Sequence, residues 1–306
     1  MQVHRSIDHL PRFQNSVITI GTFDGVHQGH QQIIEALIAE AQAVSGEAVL
    51  ITFDPHPRMI VHPHTHLHLI NTLEEKIELL SKTGIDHLVV VPFTKEFSDQ
   101  PAEAYIEHFL IGRFHPHSII IGYDHHFGHG RKGNFRLLED NAQHFHYKLL
   151  EIPRHVLDSI AVSSTKIRKA IQESHIETAN KLLGYDFFFE GLVVPGDKLG
   201  RQLGYPTANL EYTSKEKIHP GHGVYAVHVE IEGEIKKGML SIGDRPTLNK
   251  TGEKVEVHIF DFDRDIYGKT MRVIMRKFLR DQVRYDSLDK LVEQLHKDRE
   301  DSLSVL

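Results

Sequence analysis

In the first half of the chain, short continuous apolar runs alternate with stretches of helical spacing. Val17–Ile20, Ala48–Phe53, His87–Val91 and Ser118–Ile121 read as buried strands. Residues 31–44, 73–82 and 102–111 bring apolar side chains back every three to four positions, as helices do. Thr72 and Glu75 are spaced as a capping box, and Gly84 supplies the stop signal. Two further helices are expected, one from Ser163–Thr165 through Ile171 and one over Ile176–Leu183. Strand and helix in alternation predict a parallel sheet with helices on both faces.

The pattern changes near Gly184–Asp186. Period-two runs then dominate: Phe187–Val194, Val224–Ile231, Ile235–Ile242, Lys254–Phe260 and Met271–Phe278. Glu232-Gly233 sits between two of them as a hairpin turn. Such a series predicts a small antiparallel barrel. A helix capped by Ser287 closes the chain, with Leu288, Leu291, Val292 and Leu295 on one face. Two domains are expected, residues 1–184 and 185–306.

Composition narrows the classes. With 40% apolar and 25% charged residues, the chain reads as an ordinary folded domain pair. The formal net charge of −7 disfavours a general nucleic-acid surface, while leaving room for local phosphate pockets. There is no cysteine, which excludes disulfides and thiolate metal sites. The start, MQVHRSIDHLPRF, lacks the apolar core of a signal peptide, and no run has the roughly 20 apolar residues of a membrane span. A cytoplasmic location without a membrane partner is expected. His62, His64, His66 and His68 alternate, so on a strand they would share one face. A solvated loop is the plainer expectation; a weak metal-binding patch is the alternative.

The most informative segment of the first half is Ile18 to His30, ITIGTFDGVHQGH. A buried strand ends in a turn holding Gly21, Gly25 and Gly29, and a helix is expected to begin near His30. Glycines admit a bulky anion to the backbone, and a helix N-terminus offers it unpaired N–H groups. His27 and His30, three apart, share one face of the first turn and can donate to phosphate oxygens. Asp124 follows the Ser118–Ile121 strand at its carboxyl end, where α/β sheets bind ligands. Ser164 and Thr165 open a helix, and Arg168 lies one turn further on. Hydroxyls, amides and a guanidinium fork so placed suit an anion.

The second half carries its own constellation over Val194–Leu210, VPGDKLGRQLGYPTANL. Gly196, Gly200 and Gly204 permit a loop that wraps phosphates with amides. Thr207 and Asn209 alternate on an extended segment, so they project the same way and offer hard oxygens to Mg²⁺.

These motifs resemble those of the bacterial bifunctional riboflavin kinase/FMN adenylyltransferase family. GTFDGVHQGH is similar to its form of the nucleotidyltransferase H-x-G-H signature. FDPHP at 53–57, G-Y-D-H-H-F-G at 122–128 with Arg131 and Gly133, and SSTKIR at 163–168 resemble further family segments. In the second half, G-x-x-x-G-R-x-L-G-x-P-T-A-N, G-x-G-V-Y at 221–225 and E-V-H-I-F-D-F at 256–262 do the same. The resemblance spans about residues 15 to 300, in the family's order. His125 departs from it, since the family carries an aromatic Phe there. Tyr185-Asp186 and Pro195-Gly196 depart as well.

The resemblance implies an α/β Rossmann-like nucleotidyltransferase domain, then a small antiparallel β-barrel flavokinase domain with a C-terminal helix. It implies conversion of riboflavin to FMN and of FMN to FAD, with ATP as co-substrate and Mg²⁺ as cofactor. Glu256 matches the family's general base for the kinase step. His27, His30 and Arg168 would serve adenylyl transfer. Phe23, Asp24, Lys198 and Arg201 would join the named glycines, Ser164 and Thr165 around the two ATP molecules. Asp124, His125, Phe127, Tyr205 and Arg280 are expected beside flavin. The rival expectations are a single-activity enzyme with one altered site, a flavin-sensing regulatory protein and a His-rich metal buffer.

Overall fold

The computed structural model describes residues 1–123, 125–152, 162–196, 199–244 and 253–306. The chain forms two compact units, Met1–Ser164 and Thr165–Leu306.

The first unit is built on a six-stranded sheet in the order β1-β4-β3-β2-β5-β6. The strands are β1 Gln2–His4, β2 Val17–Ile20, β3 Ala48–Asp54, β4 His87–Pro92, β5 Ser118–Gly122 and β6 Lys148–Ile152. All five pairings are parallel. Alternate residues of the central strands feed two cores. Ile18, Ile20, Val49, Ile51, Val89, Val91, Ile119 and Ile121 face one side. Val17, Ala48, Leu50, Leu88, Val90 and Ile120 face the other. A parallel strand is covered on both faces, which is why these runs are continuously apolar.

Helix Gln28–Ala43 follows β2, and helix Leu73–Ser81 starts in the expected capping box, with Thr72 and Glu75 bonding reciprocally. The expected helix over 102–111 differs in kind. A turn at Ala102–Ala104 runs into a π-helix over Tyr105–Ile111, then a last turn at Gly112–Phe114. Its buried Tyr105 and Phe109 join Phe97, Phe114 and Phe127 in one aromatic cluster, so packing sets the wider turn. The histidine tract is not a strand. Residues 62–68 form a loop after the short helix Pro57–Val61, and His62, His64, His66 and His68 are exposed. Among the described residues no three His, Asp or Glu side chains are grouped to hold a metal.

The second unit is a closed barrel in the order β10-β11-β8-β7-β12-β9. Its strands are β7 Phe188–Val194, β8 Ala208–Tyr212, β9 Gly223–Ile231, β10 Glu234–Asp244, β11 Glu253–Ile259 and β12 Thr270–Arg280. Every pairing is antiparallel. Glu232 and Gly233 take φ of +50° and +80° and join β9 to β10 as the tight hairpin expected. Closure removes the exposed edges of an open sheet. The helices Ser164–Gln172 and Ile176–Leu183 precede the barrel. Tyr225 Oη donates to Ser174 Oγ at 2.9 Å, and Gly221 N to Ile171 O at 3.0 Å, so the segment between the helices is tied to the barrel. Helix Leu288–Val305, capped by Ser287, closes the chain. Among the described residues no helix is long and apolar enough to cross a membrane.

Candidate active sites

The first site lies where β2 gives way to helix Gln28–Ala43. Phe23 and Val26 take φ of +47° and +37°, and Gly25 takes +90°. A bulky and a β-branched residue in the left-handed region mark a backbone held by its surroundings, a feature that clusters at ligand sites. Those surroundings are specific. Asp24 is buried, and its Oδ1 accepts from Ile70 N at 3.0 Å and Asn71 N at 3.3 Å. Its carbonyl accepts from Ser164 Oγ at 3.0 Å. Lys76, 6% exposed, donates to Thr22 O at 2.8 Å and to Thr52 Oγ1 at 3.4 Å. Burial lowers the Lys76 pKa, opposed by Asp24 and Asp54.

The helix starts earlier than expected, at Gln28, because His27 is its cap. His27 Nδ1 accepts from His30 N at 3.3 Å, which places the proton of a neutral His27 ring on Nε2. The His27 and His30 rings stack at 3.6 Å, and Phe23 lies 5.0 Å from His30. Gly29 sits under this stack, where a Cβ would come within 3.3 Å of the His27 ring. Burial, then His27 and Lys76, hold the His30 pKa well below that of an ordinary imidazole. The ring is therefore neutral near pH 7. Its Nδ1 is buried with no hydrogen-bond partner among the described residues. An unpaired buried polar atom costs about 1–3 kcal/mol, which a ligand oxygen or water can relieve.

The other expected residues of this half are placed as follows. Gly21 donates its N–H to Ile51 O at 3.0 Å. Ser164 begins helix Ser164–Gln172, with Thr165 and Arg168 in its first turns. Asp124 lies outside the described residues. His125 is half-buried, 5.9 Å from the Phe127 ring. Burial first, then His126 and Arg131, push its pKa down to about 4. Phe127 belongs to the core, stacked on Tyr105 at 5.0 Å.

The second site lies on the barrel, where β8 and β11 pair. Antiparallel register sets Asn209 opposite Glu256. Thr207 Oγ1 donates to Glu256 Oε1 at 3.2 Å, and Lys254 Nζ stands 3.1 Å from Glu256 Oε2. Asn209 is 5% exposed, and its Oδ1 has no hydrogen-bond partner among the described residues. An unmatched amide oxygen beside a hydroxyl and a carboxylate is a set of hard donors, so these residues fit Mg²⁺. Gly196 is needed here, since a Cβ would stand 2.0 Å from Asn209 Nδ2. Gly200 accepts from Tyr205 N at 2.8 Å and closes the turn that holds Arg201, while Gly204 takes φ of +80°. Lys198 lies outside the described residues.

Tyr205 and Arg280, expected beside flavin, are both bonded to neighbouring residues of the barrel unit. Tyr205 is buried with Met239 and Phe260, and its hydroxyl meets His296 Nδ1 of the closing helix at 2.6 Å. His258 Nδ1 lies 2.7 Å from Pro206 O and so braces the turn before Thr207. Arg280 forks onto Asp298, with Nε–Oδ1 at 2.8 Å and Nη2–Oδ2 at 2.7 Å. Sequence reasoning assigned no role to Lys76, Lys254, His258 or His296. Lys254 and His258 had a legible signal, since strand alternation puts residues 254, 256 and 258 on one face.

Fold and sites define a two-site phosphotransfer protein: an α/β domain with a strand–helix turn suited to an anion, then a barrel with a carboxylate among oxygens suited to a metal. Residues 10–166 match the family model described as FAD synthetase, and residues 183–306 match riboflavin kinase. The chain belongs to the bifunctional riboflavin kinase/FMN adenylyltransferase family. The protein of that name from Haemophilus influenzae is 35% identical, over 98% of this chain and 97% of its own. That from Listeria monocytogenes is 35% identical, over 94% and 91%, and that from Escherichia coli K12 33%, over 97% and 96%. A crystal structure described as a macrolide-efflux protein from Streptococcus pneumoniae superposes with a TM-score of 0.86 at 32% identity, covering 97% of each chain.

Proposed function

We propose that the barrel transfers the γ-phosphoryl group of ATP to riboflavin, and that the α/β domain transfers the adenylyl group of a second ATP to the FMN so formed. The products are FMN and ADP, then FAD and pyrophosphate. The observation that carries the reading is the Glu256 carboxylate, held by Thr207 across from the unmatched Asn209 oxygen.

In the kinase step, Glu256 takes the proton of the ribityl 5′-hydroxyl as its oxygen bonds to the γ-phosphorus and the bond to ADP breaks. Thr207 and Asn209 would hold Mg²⁺, which supplies charge neutralisation on the phosphates. The loop bearing Gly196, Lys198, Gly200, Arg201 and Gly204 is assigned to ATP phosphates. Tyr205 and Arg280 are assigned to the flavin side of this site.

In the adenylyl step the nucleophile is already an anion, the FMN phosphate, so no base is required. Its oxygen attacks the α-phosphorus and pyrophosphate leaves. His27 and His30 act as N–H donors to the developing charge, His30 as a neutral ring. Gly21, Phe23, Asp24, Gly25 and Gly29 form and hold the turn. Ser164, Thr165 and Arg168 are assigned to this step from their motif, and Asp124, His125 and Phe127 to the flavin end. Residues 1–184 and 185–306 are taken as the two catalytic domains, at work in the cytoplasm.

Incubation with MgATP and either riboflavin or FMN, followed by chromatographic separation, tests the reading. FMN and then FAD should form from riboflavin, and FAD from FMN. FMN accumulating without FAD under every condition would leave only the kinase.

A further inference from the structure

The carboxylate at the centre of the kinase site is gripped at both oxygens. Thr207 Oγ1 donates to Oε1 at 3.2 Å, and Lys254 Nζ stands 3.1 Å from Oε2. Residues 254 and 256 lie two apart on β11, so both side chains leave the strand on one face. Their pairing partners on β10 are Gly243 and Ser241, so the lysine stem rises beside a residue with no side chain. The pair is partly dried, with the lysine 20% and the glutamate 26% exposed.

A single ion pair that keeps contact with water adds little to folding stability. Its value lies in orientation. The terminal torsion of a glutamate is broad and roughly two-fold, so one hydrogen bond at Oε1 leaves the carboxylate plane free to rock. A general base acts only from within hydrogen-bond reach of the proton it takes, and small misplacements are costly. A second hold at Oε2 selects one plane.

We propose that Lys254 is a positioning residue of the kinase step, holding Oε2 of Glu256 so that the carboxylate faces the riboflavin hydroxyl. The proposal rests on the reading of Glu256 as the base, and the test separates the two.

Riboflavin phosphorylation is measured for Lys254→Met, Lys254→Gln, Lys254→Arg, Glu256→Gln and the Lys254→Met/Glu256→Gln double variant. Riboflavin binding is followed without metal by quenching of flavin fluorescence. Lys254→Met and Lys254→Gln should each lower kcat about 10-fold, a fraction of the roughly 10²–10⁴ that a general base supplies. KM and metal-free riboflavin binding should stay within about two-fold, as for an interaction made in the transition state. Lys254→Arg should restore most of the loss. In the Glu256→Gln background, Lys254→Met should cost nothing more, because the group it positions is gone.

Unchanged kcat in both Lys254→Met and Lys254→Gln overturns the proposal. So does a loss confined to KM or to riboflavin binding, or an undiminished further loss in the Glu256→Gln background. Full turnover by Glu256→Gln alone would remove the base assignment, and the proposal with it.

Discussion

The two sites meet the same chemical problem, charge on phosphate, with opposite materials. In the α/β unit the tools are mainly hydrogen-bond donors: two stacked imidazoles, of which buried His30 is held neutral, a helix N-terminus and a turn held in left-handed backbone by Asp24 and Lys76. In the barrel they are ionic: a carboxylate, a lysine and an unmatched amide oxygen suited to a metal. Adenylyl transfer starts from an anionic nucleophile and needs hydrogen-bond donors. Phosphorylation of an alcohol must also remove a proton, and so needs a base. The contrast teaches that the nucleophile's charge decides which side chains a phosphate site must carry.

The largest test of this contrast is Glu256→Gln. Kinase turnover should fall by roughly 10²–10⁴, while FMN adenylylation is retained. Next is His30→Ala, which should lower adenylylation by about 10²–10³ and leave FMN formation intact. Product analysis of both reactions checks the pair. Loss of both activities from either change, in folded protein, would break the separation of the sites.

A smaller effect concerns the barrel's support. Arg280→Met strands the buried Asp298 carboxylate, which is 1% exposed. The cost should approach the roughly 3–5 kcal/mol of a broken buried pair, reduced because Gln294 still donates to Asp298 at 2.8 Å. Urea unfolding of the second unit measures it. The smallest expected effect is on acid stability. His125 titrates at about 4 in the fold, against 6.5 for a free imidazole. Between these values the unfolded chain binds more protons, so stability is complete above pH 6.5 and declines as pH falls toward 4. His125→Phe should flatten that part of the Tm–pH curve. A curve of unaltered slope would show that His125 does not couple to folding.

The legible parts of the molecule are those in which neighbours in sequence act together. The central parallel strands, the Thr72–Glu75 box and the Glu232-Gly233 hairpin follow from local patterns and stand where those patterns put them. Among the elements the sequence-based reading overlooked are the two edge strands, β1 and β6, and helix Phe135–Phe145. Residues 62–68 form the solvated loop expected of them, since polar alternation without a partner strand gives nothing to pair with. The histidine pair and the Thr207–Asn209 alternation could be read because their members lie three and two residues apart.

By itself, the sequence determined the two-part architecture and the residue types that carry the chemistry, because periodicity and motif spacing are properties of a short stretch of chain. Tertiary structure alone decided the rest. It held His30 neutral by burying it beside His27 and Lys76, and turned the Asp24 carboxylate inward onto Ile70 and Asn71. It brought Thr207 and Lys254 to opposite oxygens of Glu256. Burial and cross-strand register depend on segments dozens of residues apart, and no local pattern encodes them.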